Sequence, residues 1–528
     1  MPSSQSLDGA SLTLPLVARI ARGELAVELA PEARARMERS AAWVAQAASG
    51  ELKGPDGRPM LVYGVNTGYG SLARVRIADD QIRALSWNLI RSHAAGVGPP
   101  VPEEQVRAMM LLRANALAKG ASGCRPLLVD TLCRMLERGV VPEVPSRGSC
   151  GSSGDLAPLA HLGLVVFEGE GEDLSVATFA GQRMAGGVAM ARAGIGRLVP
   201  GPKEGLAMTN GAQLTAAIGA LTCHDAESLV HAAVIAAALS FEALWATTRA
   251  LHPAVHALRP FPGAIATAGD LRRLLEGSEL VDSVPDKVQD AYSLRCTPQV
   301  LGAVRDAVTY AGRQVSIEIN AATDNPVVLV DEPEPNKAFS AGLFHGEPVG
   351  FAVDHLKLAL CELGALSERR TYRLTTGDLS SRLPPLLVDG PGLGLMMPQV
   401  AAAAAVATAR QLAFPNAADT IPTCEDQEDH VAMSTSAARR AHDVLQLVEQ
   451  VVAIELLAAT RAIRMRTRGV AKRLGAGTGP AFTRLDGTIA GELPADDIAR
   501  VVELVRDGSL VRDVERAVGP LTRVHDHV

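Results

Sequence analysis

Aromatic residues are scarce in this chain: phenylalanine, tryptophan and tyrosine together make up 3% of its 528 residues. The core must therefore be filled by Leu, Val and Ala, whose small size lets helices approach closely. Basic residues are not in excess, and a formal net charge of -7 gives no footprint for nucleic acid. The seven cysteines, at 124, 133, 150, 223, 296, 361 and 424, are scattered, odd in number and form no Cys-x-x-Cys pair. That pattern argues against a disulfide scaffold or a zinc site and for a reducing cytoplasm. No basic segment followed by an apolar run opens the sequence, so no signal peptide is read there. Apolar runs such as residues 401–405 are too short and too rich in alanine to span a bilayer. What remains is a soluble intracellular protein, long enough for a large core and more than one structural region.

The pattern that is present is helical. Residues 15–22 and 31–48 read as amphipathic helices opened by proline. Ala/Val/Leu-rich runs over 212–250 and 297–320, and Ala-rich runs over 351–368, 399–413 and 436–464, predict long helices packed as an antiparallel bundle. Residues 167–193 contain Gly- and Thr-containing breaks that predict short strands or turns.

The central stretch is Gly148-Ser149-Cys150-Gly151-Ser152-Ser153-Gly154-Asp155, followed by Leu156-Ala157-Pro158-Leu159-Ala160-His161. Glycines let the backbone bend back on itself. Asp155 suits a helix cap and Pro158 a first turn. Composition alone fits a flexible connection. A phosphate cradle would need a lysine after the glycines, where Asp155 stands. The third reading is chemical: the amide nitrogen of Gly154 attacks the carbonyl of Ser152, and loss of water from Ser153 leaves an exocyclic methylidene.

Other segments carry candidate chemistry. Two of the five tyrosines lie in Tyr63-Gly64-Val65-Asn66-Thr67-Gly68-Tyr69-Gly70, read as a short strand entering a glycine-rich turn. A loop tyrosine beside glycine is a candidate general base on a closing lid. Arg295, in Gln289-Asp290-Ala291-Tyr292-Ser293-Leu294-Arg295, can grip a carboxylate through two parallel hydrogen bonds. Asn210-Gly211 alone reads as a turn, and Asp426-Gln427-Glu428-Asp429 alone as a solvated loop.

Together these segments resemble the ammonia-lyases and aminomutases that act on aromatic amino acids through a 4-methylidene-imidazol-5-one (MIO) group, and most closely the histidine lyases. The resemblance runs from residue 7 to about 465. It implies that Ser152, Ser153 and Gly154 form the MIO group, with Ser152 where the family carries alanine, and that no dissociable cofactor or metal is needed. It further implies Tyr63 as the base that removes the β-proton, with Asn210 and Tyr292 also in the catalytic machinery. Ser92, His93, Gln289, Arg295, Phe344, Met396 and Glu428 would bind substrate, Arg295 at its carboxylate and His93 with Glu428 at its ring. A carboxylate beside an imidazole would hydrogen-bond its N–H and favour its charged form. Thr209, Ala212, Leu343, Thr408 and Tyr69 depart from the family pattern.

The fold implied is mainly α, a long antiparallel helical bundle of the aspartase/fumarase kind with a smaller N-terminal region carrying active-site loops. Boundaries are expected at 1–200 for that region, 201–468 for the bundle and 469–528 for a C-terminal helical cap. The activity implied is elimination of ammonia from L-histidine to give trans-urocanate, in a cytoplasmic homotetramer with shared active sites and no nucleic-acid or membrane partner. A tyrosine, or other aromatic, 2,3-aminomutase or ammonia-lyase is the alternative. A non-catalytic helical scaffold is a third reading, opposed by the joint presence of Tyr63, Ser153, Asn210 and Arg295.

Overall fold

The computed structural model describes residues 4–68, 77, 81–491 and 493–524. The chain is mostly helical with few short strands, as its Ala- and Leu-rich runs predict. It divides into two compact units, one of residues 1–221, 313–353 and 415–439, the other of 222–312, 354–414 and 440–528.

In the first unit, helices open where the sequence supplies a proline. Leu14–Ala21 has Pro15 in its first turn, and its cap Thr13 accepts a hydrogen bond from the Leu16 amide at 3.4 Å. Pro31–Ala48 begins on the proline itself, where the missing amide proton costs little because first-turn N–H groups have no partner within the helix. Pro126–Arg138 starts in the same way and ends at Gly139, whose φ of 74° is the left-handed conformation that glycine adopts at helix ends.

The strands of this unit are short. Ser4–Leu7 pairs parallel with Ala26–Leu29, and Val97–Pro100 pairs antiparallel with Pro145–Arg147. Val141–Pro142, Val176–Phe179 and Gln182–Ala185 form a three-stranded antiparallel sheet. The last two strands answer the breaks predicted over 167–193, although Gly186–Arg192 is a helix.

At Tyr63 the predicted strand is absent, and residues 63–66 form a turn. The cause is Asn66, which is fully buried. Its Oδ1 accepts from the Val62 amide at 2.8 Å, and its Nδ2 donates to the carbonyls of Ala47 and Met60 at 2.9 Å each. Val44, Ala47, Val62, Val65 and Ile82 pack around that turn. A backbone curled around one buried amide cannot also lie flat as a strand. Tyr69 lies outside the described residues.

The second unit contains most of the helices Gln213–Ala243, Glu347–Thr375 and Ser434–Thr467, and all of Met396–Leu412. Ala402, Val406, Val451 and Ile454 make an apolar seam between Met396–Leu412 and Ser434–Thr467. Glu455 ties three of these helices together. It accepts from the hydroxyls of Ser240 and Ser367 at 2.7 Å each, and from Nε and Nη2 of Arg370 at 2.5 and 2.8 Å. The helix Gln213–Ala243 is long and apolar enough to cross a membrane by length and composition. Its apolar window is 89% buried within the protein, the signature of a core helix.

Arg370 and Glu455 are both 0% exposed, so removing one charge strands the other in a medium that cannot solvate it. Glu455→Ala is expected to cost about 3–5 kcal/mol of stability, read as a lower midpoint in chemical unfolding. A loss under about 1 kcal/mol would show that the pair is solvated in solution.

Candidate active site

The loop ahead of the helix Leu156–Val166 is held by close backbone contacts. Gly154 has φ 75° and forms an isolated parallel bridge with Gly211, and the Asp155 amide donates to the Gly211 carbonyl at 2.7 Å. A Cβ added to Gly154 would lie 2.3 Å from the carbonyl carbon of Gly211. Gly151, at φ 71°, would place a Cβ 1.9 Å from Ser434 Oγ. Both positions exclude any side chain.

Asp155 stands at the helix N-cap but makes no side-chain cap, contrary to the role read from the sequence. Its carboxylate is fully buried and is used up by other donors: the Thr215 amide at 2.8 Å, Thr435 Oγ1 at 2.6 Å and Ser149 Oγ at 2.7 Å. Burial pushes its pKa above the usual carboxylate range, against the pull of these hydrogen bonds.

Around this anchor the serines meet Asn210 and Glu428. Asn210 follows the helix Glu204–Thr209, and its Nδ2 donates to the Ser153 carbonyl at 3.0 Å. The Asn210 backbone carbonyl accepts from Arg113 Nη1 at 2.8 Å, while its Oδ1 is buried with no hydrogen-bond partner among the described residues. Thr209 spends its hydroxyl on the Gly205 carbonyl of its own helix, at 3.1 Å.

Glu428 is aimed by a turn in which three successive non-glycine residues, Cys424, Glu425 and Asp426, have φ of 52°, 56° and 62°, each a strained conformation. Its Oε2 accepts from Thr423 Oγ1 at 2.5 Å and from Ser152 Oγ at 2.9 Å, and its Oε1 accepts from Ser153 Oγ. Burial acts to raise the Glu428 pKa, but the donors Ser153, Thr423, Ser152 and Cys424 outweigh it and hold the carboxylate below its usual range.

His93 is the last residue of the helix Ile82–His93. Its Nδ1 lies 2.9 Å from the Leu89 carbonyl and 3.0 Å from Ser92 Oγ, and Ser92 Oγ donates to the same carbonyl at 2.9 Å. A carbonyl can only accept, so Nδ1 carries the proton and Nε2 is left as the acceptor. Among the described residues no hydrogen bond joins His93 to Glu428. Burial lowers the His93 imidazole pKa despite the Glu428 charge, which favours the neutral ring. Phe344, half-buried, lies in the turn before Glu347–Thr375, and the Gly346 amide in that turn donates to the Gly151 carbonyl at 2.9 Å. Tyr63 is half-buried on the turn built by Asn66.

Ser153 thus touches both Asn210 and Glu428, Ser152 touches Glu428, and Tyr63, Ser92, His93 and Phe344 belong to the same unit. Gln289, Tyr292, Arg295 and Met396 belong to the other unit. There the Arg295 guanidinium lies 4.6 Å from the Tyr292 ring centre, with Nε buried and unpartnered among the described residues. Asp290 anchors the segment, accepting from the Thr247 amide at 2.7 Å and pairing with Lys287 at 2.6 Å. Met396 is half-buried at the start of Met396–Leu412. No group of three or more His, Cys, Asp or Glu side chains suited to a metal occurs among the described residues. Sequence reading missed Thr423, which lies just ahead of the segment 426–429 that carries the resemblance. It also missed Ser149, Thr215 and Thr435, although hydroxyl residues flanking the loop were visible.

The family model for aromatic amino acid lyases matches residues 12–486. The chain belongs to the aromatic amino acid lyase family. It is a carbon–nitrogen lyase, which sets aside the reading as a non-catalytic scaffold. A histidine ammonia-lyase of Gloeobacter violaceus is 44% identical over 523 residues, 98% of each chain. Another, of an Anaeromyxobacter strain, is 47% identical over 87% of this chain and 90% of that one. Among solved structures, the histidine ammonia-lyase of Trypanosoma cruzi matches with TM-score 0.87 and 34% identity, over 97% of this chain and 95% of that one. A tyrosine aminomutase of Streptomyces globisporus matches with TM-score 0.88 and 32% identity, over 98% and 99%.

Within this lyase a second carboxyl group titrates near Asp155. Glu318, the last residue of Thr297–Glu318, is pushed up to about 7 by burial and by the Asp155 charge. Between its ordinary value of 4.5 and about 7, the folded protein holds a proton that the unfolded chain has released. Stability therefore falls as pH rises through that window. Glu318→Gln should flatten the decline in unfolding midpoints measured across it; an unchanged slope would contradict the raised pKa.

Proposed function

We propose that this lyase eliminates ammonia from L-histidine to give trans-urocanate. The observation that carries the reading is the Glu428 carboxylate facing the serine loop, an acceptor matched to an imidazole N–H and not to a hydrocarbon ring. Full-length identity to enzymes named histidine ammonia-lyases supports it.

The loop fits an MIO group formed from Ser152-Ser153-Gly154. Gly154 sits in a cradle that a Cβ would fill, Asn210 Nδ2 holds the Ser153 carbonyl, and the orphaned Oδ1 of Asn210 awaits a donor. In forming the group, Gly154 nitrogen bonds to the Ser152 carbonyl carbon, whose oxygen leaves as water with protons from the Gly154 and Ser153 amides. Ser153 then loses its α-proton and hydroxyl as a second water. Once formed, the ring supplies the electrophile that makes loss of ammonia feasible.

The chain's own residues do the rest. Tyr63 takes the proton from the substrate β-carbon, and Arg295 pairs with the carboxylate, with Gln289 and Tyr292 beside the reacting centre. Glu428 accepts from the imidazole N–H, while His93, neutral and with Nε2 free to accept, Ser92, Phe344 and Met396 shape the ring site. The family resemblance supports a homotetramer that shares active sites between copies. All seven cysteines are free, which suits a cytoplasmic enzyme. A tyrosine 2,3-aminomutase is the second reading, supported by the TM-score of 0.88 to such an enzyme.

Incubation with L-histidine and, separately, L-tyrosine tests the choice. Urocanate absorbance from the parent and none from Ser153→Ala, a loss of at least about a thousandfold, is expected. β-Tyrosine or coumarate from tyrosine, with no product from histidine, would overturn the histidine assignment.

A further inference from the structure

We propose that Ser152, where the family pattern has alanine, is a positioning residue whose hydroxyl keeps Glu428 ionised and aimed after Ser153 has lost its own. The inference rests on the proposed reading of the loop and goes beyond it, because ring formation uses only the backbone carbonyl of Ser152.

The two oxygens of Glu428 have different fates. Oε1 accepts from Ser153 Oγ, and dehydration of Ser153 removes that donor, leaving Oε1 open to a substrate N–H. Oε2 accepts from Ser152 at 2.9 Å and from Thr423 at 2.5 Å, and neither hydroxyl is consumed. The carboxylate is thus held through one oxygen while the other is released for binding. Alanine at 152 would leave Thr423 as the one hydroxyl on Oε2 among the described residues.

Three other titratable groups face Glu428, and the infrared band of a protonated carboxyl distinguishes it from them. Burial lowers the pKa of His93 from the helix Ile82–His93, and that imidazole is neutral at neutral pH. Burial also raises the thiols of Cys150 in the serine loop and Cys424 in the glutamate's own turn, and the Glu428 charge adds to both effects. Glu428, held below its usual range by its donors, and His93, lowered from its ordinary value by burial, both change charge on the acid side, and the carboxylic-acid band in the infrared belongs to Glu428 alone of the two. Losing a donor to the ionised form raises a carboxyl pKa, so the charged state that accepts the substrate N–H is lost at higher pH.

The test compares parent, Ser152→Ala and Ser152→Thr in three measurements. Intact mass establishes that each has lost two waters, which separates positioning from a failure of ring formation. Infrared difference spectra against the Glu428→Gln counterpart of each protein follow the carboxylic-acid band with pH. The acid limb of kcat/KM for histidine is the third. In Ser152→Ala, both the infrared titration and the acid limb should move up by about one pH unit, with Ser152→Thr close to the parent. Coincident titrations in Ser152→Ala and parent would overturn the proposal, as would a limb that shifts equally in Ser152→Thr. A parent that makes no urocanate refutes the histidine reading, while the infrared titration still decides the role of Ser152.

Discussion

The structure around the reacting loop depends on one buried carboxylate. Asp155 draws the Thr215 amide, Thr435 and Ser149 onto itself, so segments separated by up to 280 residues in sequence are held to a single point. A carboxylate in that setting is costly unless its lone pairs are filled, and here hydroxyls and an amide fill them. The same residue passes its backbone amide to Gly211, which presses Gly154 against the segment that carries Asn210. The bend of the loop is therefore fixed from outside, at Gly151 and Gly154, whose left-handed backbone and close contacts require glycine.

Given that fixed bend, the second carboxylate can act on the loop. Glu428 reaches Ser152 and Ser153 from a turn with three successive residues in the left-handed region, a conformation that persists only where the surroundings determine it. Thr423, at the start of that turn, holds the carboxylate it presents. The turn places an ionised acceptor in front of serines that the resemblance assigns to the electrophile.

Much of the helical framework was legible in the sequence because its signals are local. Pro31 fixes the start of Pro31–Ala48, and the Ala-rich runs mark helices such as Thr297–Glu318 and Met396–Leu412 to within a few residues. The turn at Tyr63 was not legible, because it is decided by where the Asn66 side chain is buried. Asp155 reads as a cap from its neighbours, and only the arrival of Thr215 and Thr435 from distant segments reassigns it. The membership of Ser152, Ser153, Asn210 and Glu428 in one site came from motif resemblance, and their contact from the fold. Thr423 has no signature of its own, since its importance lies in the strained turn that follows it.

The most direct measurement is the mass of the peptide containing Ser152-Ser153-Gly154, taken from intact parent protein and from Ser153→Ala. The account predicts that the parent peptide is lighter than its sequence by two waters and that the Ser153→Ala peptide cannot reach that mass. A parent peptide at its full sequence mass would contradict the claim that this constrained loop becomes the electrophile.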